Sequence, residues 1–268
     1  MVENKEKNVI IHLGMPKTAT TFLQWNVFHY MDVHYLWHIF HKGWIKNIIH
    51  YDKDLDLEKA KKKMNKHLKD DKKNLLSEEN LYTDYLVKKD DRYIILDRIK
   101  HIFPEAKIIF GIRNKEEILL SWYKQYVATG GTHGYEYFLK NHMNQKKLDY
   151  EEYIQKLYEY YGKENIFIYK LEEIKNNQEK VIKDMSKFIG IPFPKDYNRK
   201  PTNVGYSFET LKASLIINRL FRTKLNPYGI IPFPHFVLPQ RIFFQNRFIR
   251  KILPQTKITK ENLEKINI

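Results

Sequence analysis

The residues best suited to chemistry gather at three places. The first is Gly14-Met15-Pro16-Lys17-Thr18-Ala19-Thr20-Thr21-Phe22, between a short apolar run and a helix-like one. Backbone N–H groups at a helix start, with the helix dipole behind them, bind anions. Lys17 adds a point charge, and Thr18, Thr20 and Thr21 add hydroxyl donors. No GxxxxGK[ST] pattern surrounds Lys17, so this is not a Walker A loop. A plain strand–turn–helix with a threonine cap accounts for the same residues without a ligand. The second place is Arg113, at the end of an apolar run, with Ser121 in the helical stretch after it. Arg offers a planar fork for phosphate. The competing reading pairs Arg113 with Glu116 or Glu117 and leaves Ser121 as a surface residue. The third place is Ser77-Glu78-Glu79, directly after Leu75-Leu76. Its carboxylates are candidates for acid–base work, or Ser77 is an N-cap with acidic residues complementing a helix dipole. His34, His38 and His41, in the aromatic run of residues 30–44, are alternative bases.

These groups need a scaffold, and the hydrophobic pattern supplies one. Residues 8–13, 74–77, 106–112 and 165–169 are short apolar runs that read as buried strands. Between them, residues 18–30, 55–71, 91–103, 115–128, 150–161 and 177–189 read as helices, with Gly162 and Gly190 at C-caps. Strands alternating with helices predict an α/β fold: a parallel sheet of about four or five strands covered on both faces. Ligands in such sheets bind beyond the carboxyl ends of the strands, where all three places fall. Residues 206–268 break the alternation with Pro227, Pro232, Pro234, Pro239 and Pro254. They read as an irregular, basic, aromatic appendage on a single core domain of residues 1–205.

Composition narrows the classes. The 268 residues are 43% hydrophobic, enough for one globular core. No run of about 18 apolar residues suggests a membrane span. Cysteine is absent, so disulfides and thiolate metal sites are excluded. With no secretory pattern at residues 1–7, this points to a cytoplasmic protein. The formal charge of +15 favours anionic partners. It is uneven: residues 210–260 hold ten Lys or Arg and no acid. That segment is suited to an anionic surface.

The loop resembles the 5′-phosphosulfate loop of sulfotransferases that use 3′-phosphoadenosine 5′-phosphosulfate, typically PK[ST]GT[TS] followed by an aromatic or Leu. The stretch around Arg113 and Ser121 resembles the family's RNPxxxxxSxY segment. Ser77-Glu78-Glu79-Asn80-Leu81 is similar to its SSExL form, and residues 166–192 are similar to its strand, turn and FxGIP helix end. Together these cover about residues 8–207. The resemblance implies a P-loop-like nucleotide site and sulfuryl transfer to a hydroxyl or amine of an acceptor, a glycan or a small molecule. It implies that Lys17 contacts the leaving oxygen and that Pro16, Thr18, Ala19, Thr20 and Thr21 cradle the phosphosulfate. Phe22 would stack on adenine. Arg113 and Ser121 would hold the 3′-phosphate, with Arg199 and Lys200 in a loop over it. Glu79 would be the base, with Glu78 beside it. No metal is required, and no specific nucleic acid is expected as partner. Two departures stand out: Pro201 replaces a family glycine, and Ala19 stands where the family carries Gly. If that position needs φ > 0, Ala costs about 1 kcal/mol. A small-molecule kinase with a divergent phosphate loop, and an anionic-polymer or nucleic-acid binding protein, are the alternatives.

Overall fold

The computed structural model describes residues 8–36, 55–83, 88–199, 206–232 and 254–266. The chain divides into two compact units. Met1–Asp84, Lys89–Arg113 and Gln145–Thr202 form the first; Tyr85–Lys88, Asn114–Asn144 and Asn203–Ile268 form the second.

The first unit is an α/β layer structure. Its strands are β1 (Val9–Leu13), β2 (His34–Tyr35), β3 (Asn74–Glu78), β4 (Lys107–Ile112) and β5 (Ile166–Lys170). They form one parallel sheet in the order β2-β3-β1-β4-β5. β1 is buried at all five positions, as expected of a mostly apolar central parallel strand. The chain moves to one side of β1 for β3 and to the other for β4, so β1 is the switch point where such sheets bind ligands. Helix α1 (Thr20–Phe22) follows β1 and continues as a π-turn over Leu23–Val27 and a 3-10 turn over Phe28–Tyr30. Helix α2 (Leu57–Asn65) packs on α3 (Arg92–Ile102), and α6 (Tyr150–Tyr161) and α7 (Leu171–Ile189) pack on β4 and β5. Ile10, Phe22, Leu23, Val27, Leu75, Ile109, Ile182 and Met185 share one core cluster.

Several boundaries depart from the sequence pattern for local reasons. The helix after β1 starts at Thr20 because Lys17 and Ala19 are left-handed, with φ of 72° and 70°. α2 is shorter than residues 55–71 because the Asn74 side chain captures the following turn. Its Oδ1 accepts from Lys69 N at 2.8 Å and its Nδ2 donates to Lys69 O at 2.9 Å. α7 begins at Leu171, earlier than expected, and kinks at Asn177. β2 has two residues, too few to show a period.

In the second unit, α4 (Lys115–Ala128) packs on α8 (Phe208–Asn218), and α5 (Tyr135–Asn141) on α9 (Lys260–Glu264). Trp122, Tyr123, Tyr126 and Phe138 are fully buried there. Asn218 Nδ2 donates to the carbonyls of Val127 and Gly131, both at 2.7 Å, and so closes the end of α4. The segment after residue 206 thus carries a regular helix, whose N-cap Ser207 accepts from Thr210 N.

Candidate active site

Three strand ends meet at the loop after β1. Gly14 N donates to Glu78 O at 3.1 Å, which seats the end of β3 against the loop. Only glycine allows this approach: a Cβ at Gly14 would lie 2.9 Å from the Glu79 Cα and 2.8 Å from Thr20 Cγ2. Glu79 Oε1 then accepts from the Lys17 backbone N at 3.3 Å. Arg113, at the end of β4, donates from Nη1 to the Lys17 carbonyl at 3.3 Å. The two residues nominated independently as base and phosphate ligand therefore hold opposite sides of the loop lysine. Glu78 plays another part: its Oε1 accepts from Glu79 N at 3.0 Å and caps the 3-10 turn Glu79–Leu81. The cap that the competing reading gave to Ser77 is thus made one residue later, by Glu78.

The loop braces itself. The Thr18 hydroxyl donates to Met15 O at 2.7 Å and the Thr20 hydroxyl to the same carbonyl at 3.3 Å. Those two hydroxyls are turned inward to the backbone of the loop itself. Phe22 belongs to the core cluster and is only 7% exposed. Below the loop lies a polar run from the half-buried Gln24 through the buried Ser77 and His12 to Tyr169, whose hydroxyl donates to Thr18 O at 3.0 Å. Burial lowers the His12 pKa to about 3, so its ring is neutral. Sequence reasoning passed over His12. The signal was present: one titratable residue in an otherwise apolar strand, two positions before Gly14.

Ala19 adopts φ 70° and ψ 17°, the conformation for which the family glycine is suited. A Cβ there costs about 1–2 kcal/mol, partly offset because glycine loses more chain entropy on folding. Ala19→Gly is expected to stabilise the protein by about 1 kcal/mol, or roughly 2–4 °C in melting temperature. Thermal unfolding followed by circular dichroism checks this. A lower melting temperature would contradict the strain.

Pro16 is buried in the loop. Ser121 lies on α4 in the second unit, whereas Arg113 ends a segment of the first. Asn114, at the start of α4, caps Glu116 N and Glu117 N at 3.0 and 3.1 Å. Arg199 is exposed, 3.7 Å from Glu179 and stacked over the Tyr197 ring. Lys200, His38 and His41 lie outside the described residues. His34 pairs with Asn74, the first residue of β3, at the end of the sheet away from the loop. Among the described residues no group of three or more His, Asp or Glu could hold a metal ion, and no helix is long and apolar enough to cross a membrane.

No curated protein matches the sequence. Among solved structures, a sulfotransferase from Alicyclobacillus acidocaldarius is similar at a TM-score of 0.52 and 15% identity, over 80% of this chain and 92% of that one. That likeness speaks for the fold. The sulfotransferase domain of the Synechococcus PCC 7002 olefin synthase aligns at a TM-score of 0.41 and 15% identity, over 92% of this chain and 96% of that one. Mouse sulfotransferase SULT7A1, solved with PAP, aligns at 0.38 and 17%, over 69% and 60%. The model of the sulfotransferase domain matches residues 7–219, most of the chain, and with it the chain belongs to the sulfotransferase family and is a transferase enzyme.

Proposed function

We propose that this sulfotransferase uses 3′-phosphoadenosine 5′-phosphosulfate as donor and a hydroxyl or amine of a glycan or small molecule as acceptor. One observation carries the reading: Glu79 and Arg113 both bond the backbone of Lys17, so a carboxylate and a guanidinium flank the loop lysine. The residues suit the nucleotide. Ala19 makes no side-chain cap, so the opening amides of α1 are available to an anion. When bound, the nucleotide supplies the sulfuryl group for in-line displacement and departs as 3′,5′-adenosine bisphosphate. Lys17 stabilises charge developing on the departing oxygen. It supplies the positive charge that a metal provides elsewhere. Glu79 receives the acceptor proton. Pro16, Thr18, Thr20 and Thr21 shape the cradle, and Phe22 stacks on the adenine. Arg113 and Ser121 hold the 3′-phosphate, with Arg199 and Lys200 beside it.

The donor assignment is tested by calorimetry. The protein should prefer 3′,5′-adenosine bisphosphate to 5′-AMP, and Arg113→Ala should lower that preference about 10- to 100-fold. This is the worth of one charge-assisted bond, about 1.5–3 kcal/mol. Ser121→Ala should act in the same direction, more weakly. An unchanged preference moves the clamp to Arg199 and Lys200. Tighter binding of ATP or of an oligonucleotide would overturn the donor and restore the kinase or nucleic-acid reading.

The same reading divides the chain into a catalytic core of residues 1–205 and a basic segment, residues 206–268, that meets an anionic surface. Exposed Ile216, Leu220, Tyr228 and Ile230 alternate there with Arg219, Arg222 and Lys224. It places the enzyme in the cytoplasm.

A further inference from the structure

The strand entering the loop carries one side chain at odds with its neighbours. Val9, Ile10, Ile11 and Leu13 are buried apolar residues, and His12 among them is fully buried too. Both ring nitrogens are engaged, Nδ1 at 2.7 Å from Ser77 Oγ and Nε2 at 3.0 Å from the Tyr169 hydroxyl. A phenol has one proton, and that of Tyr169 goes to Thr18 O. The tyrosine oxygen must therefore accept from His12, whose proton sits on Nε2. Nδ1 is then an acceptor, and the Ser77 hydroxyl donates to it. The Ser77 oxygen accepts in turn from Gln24 Nε2 at 3.1 Å, which also donates to the Ser77 carbonyl at 3.2 Å. Each member fixes the direction of the next.

The end of this run bears on the anion loop. The peptide unit between Thr18 and Ala19 is planar, with its C=O and N–H pointing opposite ways. Tyr169 holds the Thr18 carbonyl toward the core, so the Ala19 N–H is turned outward. That N–H has no acceptor among the described residues. Gly111 on β4 makes the contact sterically feasible. A Cβ there would come within 2.4 Å of the Tyr169 ring and 2.9 Å of Thr18 Oγ1.

We infer that Tyr169 and His12 are positioning residues that hold the Thr18–Ala19 peptide with its N–H aimed at the anion bound by the loop. The inference rests on the reading of the loop as the donor site. Tyr169→Phe removes one hydroxyl and leaves the ring in place. It is expected to weaken 3′,5′-adenosine bisphosphate about 10- to 100-fold, the worth of one charge-assisted bond. A purely structural contact would lower the melting temperature while folded molecules bound as before. His12→Gln and His12→Leu form a second pair that does not depend on how well the Tyr169→Phe variant folds. The glutamine amide can replace Nε2 as a donor, so His12→Gln should bind within about threefold of wild type, whereas His12→Leu should lose affinity as Tyr169→Phe does. The measurement is titration calorimetry with the bisphosphate, below the unfolding transition of each variant as followed by circular dichroism. If wild type binds and both Tyr169→Phe and His12→Leu match it, the positioning role is overturned and the donor site stands. If wild type does not bind the bisphosphate, the donor reading itself falls and the inference with it.

Discussion

Lys17→Ala is expected to fold normally and to lose about 10²–10³ in turnover. The loss belongs to the ammonium group. The Lys17 backbone is left-handed, at φ 72°. That conformation strains any residue with a Cβ to a similar degree, so replacing Lys by Ala leaves the backbone cost of the loop nearly unchanged. The bonds that fix the loop at this position, from Lys17 N to Glu79 and from Arg113 to Lys17 O, use the Lys17 backbone and survive the substitution. What disappears is a preorganised cation beside the developing negative charge. The expected signature is lower turnover with a smaller change in bisphosphate affinity, because the interaction strengthens as the leaving oxygen gains charge. Turnover with labelled donor, together with bisphosphate calorimetry, separates the two. Wild-type turnover in a folded Ala variant would remove Lys17 from the chemistry.

Much of this molecule is legible from local pattern. The helices Lys115–Ala128 and Tyr150–Tyr161 begin and end where their apolar spacing and glycine stops predict. The buried strands show as short, mostly apolar runs because a parallel sheet covers both of their faces. Legibility fails where the cause is distant in sequence. His12 meets Tyr169 across 157 residues and Ser77 across 65. No local periodicity encodes that meeting, and a histidine in a strand reads only as an exception. The late start of α1 has another origin. A Lys and an Ala occupy left-handed positions usually filled by glycine or asparagine, so the composition of the loop hides its turn. Ser77 departs from expectation for a third reason. A serine before two acids fits an N-cap, yet the strand runs one residue further and turns its hydroxyl inward to His12.

Glu79→Gln is expected to bind the bisphosphate as wild type does and to lose about 10²–10⁴ in turnover, the usual contribution of a positioned general base. The substitution is informative because it separates the bond that Glu79 makes in the structure from the base role proposed for it. One is to accept the Lys17 backbone proton through Oε1, which a glutamine carbonyl does equally well. The other is to receive a proton from the acceptor, which an amide cannot do. Intact binding with lost turnover therefore assigns chemistry to the carboxylate and geometry to the bond. Glu79→Ala removes both and should weaken nucleotide binding as well. Glu78→Gln is the internal control. Its side chain caps Glu79 N, a bond that the amide oxygen preserves, so turnover should fall by much less. Histidine is the rival base. His34, paired with the first residue of β3 and bonded to His67 O at 3.0 Å, lies at the end of the sheet away from the loop. His34→Ala should leave turnover intact, and His41→Ala completes the comparison. Activity retained in Glu79→Gln but lost in His41→Ala would transfer the proton-accepting role to histidine and leave Glu79 as a clamp on the loop.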